Sequence, residues 1–86
     1  MPKEMNEACA HTNRALEIIA EIKPILKGEE PGVQGAVLAE LLSLWLAGWA
    51  PQLRKEVLDF HLEEVRELTK LNEKILFGDA GHPGTT

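Results

Sequence analysis

The sequence predicts an all-α protein of three helices with a buried central helix, assembled as a helical-bundle homodimer. Apolar residues recur at helical spacing, two breaks combine Gly with Pro, and no alternating β-branched run suggests a strand. A single helical domain is expected over 1–77, with helices at about 4–27, 31–49 and 51–77. A flexible C-terminal tail is expected over 78–86, where nothing apolar anchors the chain. No repeat of 20–50 residues is visible along the chain as a whole.

In the first helix, Met5, Ala8, Thr12, Ala15, Ile19, Ile22 and Leu26 share one arc at 100° per residue. Asn6, Asn13, Arg14, Glu17 and Glu21 fall opposite. Pro24 lacks a backbone donor and crowds the carbonyl of Ala20, which predicts a kink or stop there. His11 sits at the edge of the apolar arc and is expected to be partly buried and hydrogen-bonded.

The first break, Gly28-Glu29-Glu30-Pro31-Gly32, joins a helix-ending Gly to a Pro suited to a first helical turn. The second helix that follows has no polar face, since Gln34, Glu40 and Ser43 scatter around it. A helix apolar all round must be covered all round. Its circumference sorts by size: Gly35, Ala39, Ser43 and Ala47 form a small stripe, and Leu38, Leu42, Trp45 and Trp49 a bulky one. Two further helices are too few to cover it, which points to self-association.

The second break, Gly48-Trp49-Ala50-Pro51, opens the third and longest helix, about 40 Å if unbroken. Its solvent face carries Lys55, Glu56, Asp59, Glu63, Arg66, Glu67, Lys70, Glu73 and Lys74. Glu63–Arg66 and Glu67–Lys70 stand at pairing distance there. The apolar arc, with Leu53, Val57, Leu58, Phe60, Leu62, Val65, Leu68, Leu71, Ile75 and Leu76, spans about 200°. An arc that wide meets two neighbours.

Several polar residues stand on these apolar faces: Arg54, His61, Glu64 and Asn72 on the third helix, Glu40 on the second and His11 on the first. Buried charge is costly unless paired, so one reading is an internal or intersubunit polar network, for example Arg54 with Glu64 or Glu40, that fixes register and oligomeric state. A second reading is a divalent-metal or small-ligand site using His11, Glu40, His61 and Glu64, with Glu7 one turn from His11. The order His61-Leu62-Glu63-Glu64 is the reverse of the Glu-x-x-His pattern of helical-bundle carboxylate sites, and no second copy occurs. A third reading is proton transfer by the neighbouring His61 and Glu64.

Other chemistry is absent from the motifs. There is no Gly-rich phosphate loop, no paired cysteine and no Gly-x-Ser-x-Gly elbow. Cys9 is the single cysteine, so an intrachain disulfide is excluded; it reads as a small apolar helix residue. Nine basic residues against fourteen acidic ones give a net charge of −5, a poor balance for gripping nucleic acid or anionic lipid. Residues 1–10, with Lys3, Glu4 and Glu7, lack the apolar run of a secretion signal. Residues 33–50 contain Gln34 and Glu40 and are at the short limit for a membrane span, so no membrane insertion is expected. The expected location is the cytoplasm.

These observations favour a small non-enzymatic helical interaction or assembly module, with no cofactor. Its partner is itself, as a homodimer or higher oligomer, or another helical protein. The expected interface comprises Leu38, Leu42, Trp45, Trp49, Phe60, Leu68 and Leu71. The alternative is a metal- or small-ligand-binding bundle centred on His61 and Glu64.

Overall fold

The computed structural model describes residues 3–84, with side chains for Glu7 and for 9–84. The side chains of Met5 and Ala8, assigned above to the first apolar arc, lie outside the described residues. Three α-helices follow one another: α1 (Lys3–Lys27), α2 (Pro31–Ala47) and α3 (Arg54–Phe77). A single 3-10 turn, Pro51–Leu53, leads into α3. No strand occurs among the described residues. The chain divides into two units, Met1–Glu40 and Leu41–Thr86.

Both breaks fall where Gly and Pro place them, but the helix ends close in another way than expected. Neither Gly28 nor Gly48 takes the left-handed backbone that a helix-ending Gly supplies. Within the first unit, the Leu26 carbonyl accepts from the Glu29 N–H at 3.0 Å and from the Gln34 side-chain amide at 2.8 Å. Within the second, the Leu46 carbonyl accepts from the Trp49 N–H at 3.0 Å and from Arg54 Nε at 3.1 Å. In each case the orphan carbonyl of a finished helix is served by a side chain from the helix that follows.

The two junctions therefore share one pattern at an offset of twenty residues: Leu26 and Leu46, Gly28 and Gly48, Pro31 and Pro51, Gln34 and Arg54. Hydropathy hides this repeat, because Gln34 and Arg54 differ in charge and agree only as donors.

Helix α1 does not stop at Pro24 but runs on to Lys27. A Pro one turn from a helix end removes a single late hydrogen bond. His11 is exposed, not partly buried, since nothing packs on that part of α1. The central helix is not buried within the chain either: α2 has no buried residue. Indeed, no described residue is buried anywhere. Val33, Val37, Leu38, Leu41 and Leu44 of α2 all stand exposed. Three helices do not provide enough neighbours to enclose a helix that is apolar on every side.

At the far end of α3, Gly78 takes φ 78° and ψ −171°, and its N–H donates to the Lys74 carbonyl at 2.8 Å. Gly81 is the other described residue with positive φ. The turn between them brings the His82 ring against Phe77, with ring centroids 4.7 Å apart and nearly perpendicular.

Candidate functional site

The second unit presents one side-chain constellation worth chemical scrutiny, at the α2–α3 junction. Trp45 lies in the last turn of α2 and Trp49 two residues beyond its end. Their rings meet edge to face at 6.0 Å and 81°. Trp45 also lies against His61 of α3, with centroids 4.9 Å apart and the planes tilted by 47°. Around these rings is an open cleft of about 400 Å³ lined by Trp45, Trp49, Glu56, Val57, Phe60, His61 and Glu64. A second depression of about 360 Å³ borders it at Phe60, Glu63, Glu64 and Glu67.

Arg54 holds this junction together. Its Nε donates to the carbonyls of Leu46 and Trp49, both at 3.1 Å, and Nη2 donates to that of Ala47 at 3.0 Å. A guanidinium at a helix C-terminus satisfies orphan carbonyls and opposes the negative end of the helix dipole. Within this unit the guanidinium is thus taken up by three backbone acceptors and not by Glu64. Helical-wheel reasoning missed this because it counts side chains only.

The cleft is apolar within and acidic at its rim. Among the described residues, neither Glu56 nor Glu64 has an ion-pair or hydrogen-bond partner. The neighbouring carboxylates are engaged: Glu63 with Arg66 and Glu67 with Lys70, each at 3.2 Å, as their spacing predicted. Lys55 pairs with Asp59 at 2.7 Å, and this hydrogen bond, with the carboxylate charge, raises the Lys55 pKa above its ordinary 10.5.

Of the residues singled out from sequence, Trp45, Trp49, Phe60, His61 and Glu64 come together in this one cleft. Phe60 is 79 % exposed and Leu71 59 %, with Leu68 also exposed; Leu42 is half-buried. Leu38, Glu40 and His11 belong to the first unit and are all exposed. His61 and Glu64 share the cleft wall, but among the described residues no hydrogen bond or ion pair joins them. Nor does any group of three His, Cys, Asp or Glu side chains there come together to hold a metal ion. Cys9 is free and exposed. Two cleft residues went unselected at the sequence level, Val57 and Glu56. Their signal was the four-residue spacing Glu56–Phe60–Glu64, which sets two carboxylates around one aromatic ring on a single helical face.

Among the described residues, no single helix is long and apolar enough to cross a membrane; only α2 and α3 taken together across their break satisfy length and composition. No protein-family model, curated protein or solved structure matches this chain.

Proposed function

We propose that this chain is a small helical assembly module that self-associates, as a homodimer or higher oligomer, and works through association and not catalysis. The observation that carries this reading is the exposure of large apolar side chains, with none buried among the described residues.

Large apolar side chains are exposed where the interface was expected. Leu38, Trp45, Trp49, Phe60, Leu68 and Leu71 are large side chains left in contact with water. Exposed large apolar side chains of this kind mark association sites. Aromatic anchors flanked by polar groups are the residues that carry binding energy at such surfaces. Covering α2 by a second copy would bury the central helix in the assembly, where the single chain leaves it open.

Light scattering on the purified chain across a dilution series tests the proposal. A mass of two or more chains at micromolar concentration, falling on dilution or on Trp49→Ala, is the expected result. A stable monomer with cooperative unfolding throughout that range would overturn it.

A further inference from the structure

We infer that α3 pairs antiparallel with α3 of a second copy, and that Lys74 of that copy enters the cleft between Glu56 and Glu64. This rests on the self-association proposed above and adds orientation and register to it. One face of α3 carries Glu56, Phe60, Glu64, Glu67, Leu71 and Lys74 within an arc of about 80°, at 100° per residue. On that face Glu56, Glu64 and Glu67 precede Lys74, and along α3 as a whole charge changes sign. Residues 54–65 hold four carboxylates against two cations, and residues 66–77 hold three cations against two carboxylates.

A parallel pair would lay acid on acid around Phe60 and lysine on lysine near Leu71. An antiparallel pair lays the acidic half on the basic half, and like-charge juxtaposition selects against the other orientation. Centring the crossing at Glu67 sets Lys74 of one copy opposite Phe60 of the other, with Glu56 and Glu64 one turn to either side. At that centre each Glu67 is neutralised by its own Lys70 at 3.2 Å.

The cleft fits the group delivered to it. Two nearly perpendicular tryptophan rings and the exposed Phe60 provide aromatic faces, which attract an ammonium ion. Glu56 and Glu64 supply carboxylates without an internal partner, and among the described residues Lys74 likewise has no ion pair. The same crossing places Leu71 and Phe60 of both copies along one seam.

Charge reversal tests the pairing, read as the dimer dissociation constant by sedimentation at low salt. Glu64→Lys and Lys74→Glu are each expected to weaken the dimer about tenfold, while the double variant returns to within about threefold of wild type. Positions 64 and 74 are about 15 Å apart along one helix, too far for restoration within a chain. Helicity by circular dichroism confirms that each variant folds. In a Cys9→Ala background, mixing Phe60→Cys with Lys74→Cys is expected to yield the mixed disulfide dimer. A wild-type dimer whose single variants bind unchanged, or whose double variant loses the sum of both effects, overturns the pairing alone. A wild-type chain that stays monomeric overturns self-association and the pairing with it.

Discussion

Replacing Arg54 by Ala isolates the contribution of one side chain to the α2–α3 junction. The guanidinium makes three hydrogen bonds of 3.0–3.1 Å to the carbonyls of Leu46, Ala47 and Trp49. Arg54 is exposed, so water competes for each bond and the net gain lies at the low end of about 0.5–1.5 kcal/mol per bond. The Leu46 carbonyl keeps the Trp49 N–H in the variant, which limits its loss. The cation also interacts with the negative end of α2, a contribution of about 0.3–1 kcal/mol that overlaps with the bonds. Together these give about 1–1.5 kcal/mol, or a fall in Tm of about 5–10 °C for a chain of this size. Thermal unfolding followed by circular dichroism at fixed chain concentration measures it, since association shifts apparent stability. Arg54→Lys keeps the charge but lacks the fork that serves several carbonyls, so it is expected to recover about half. Full recovery by Lys, or no loss with Ala, would refute the capping role.

Other perturbations have outcomes of known sign. Gly78→Ala forces a side chain into φ 78°, ψ −171° and is expected to cost about 1–3 kcal/mol locally, seen as loss of the Phe77–His82 contact by NMR. The Lys55–Asp59 pair raises the lysine pKa, so its stabilisation is present below the ordinary 10.5 and is lost as pH rises through the higher folded value. Because Lys55 is exposed, Asp59→Asn is expected to leave the midpoint of urea unfolding at neutral pH unchanged from wild type. Leu71→Glu puts a carboxylate on the exposed apolar seam of α3 and is expected to shift the protein toward monomer on sizing columns without loss of helicity.

The helices and their breaks were legible in the sequence because Gly, Pro and apolar spacing are local signals. Pro31 and Pro51 both open a helical turn, and α3 ends at Phe77 as its pattern does. Pro24 does not end α1, because its cost depends on distance from the helix end and three residues remain beyond it. The role of Arg54 was illegible for a different reason. Its acceptors are backbone carbonyls eight, seven and five residues earlier, and a wheel of side-chain types contains no carbonyls. The same blindness hid Gln34 on the Leu26 carbonyl and, with it, the twenty-residue correspondence of the junctions.

The site was legible in part. Trp45, Trp49, Phe60, His61 and Glu64 were separately conspicuous, and the junction gathers them into one cleft. The four-residue metal set was a grouping by residue type, whereas His11 and Glu40 fall in one unit and His61 and Glu64 in the other. A wheel shows which faces are apolar but not which neighbour occupies them. Enclosure of α2 was therefore expected from an assembly, and the single chain leaves the helix uncovered.

Acrylamide quenching of Trp45 and Trp49 emission as a function of chain concentration tests self-association most directly, because both rings are open to solvent in the single chain. Shielded tryptophans at high concentration that become quenchable on dilution are the predicted result. Tryptophans equally accessible at every concentration, or equally shielded down to nanomolar chain, would contradict it.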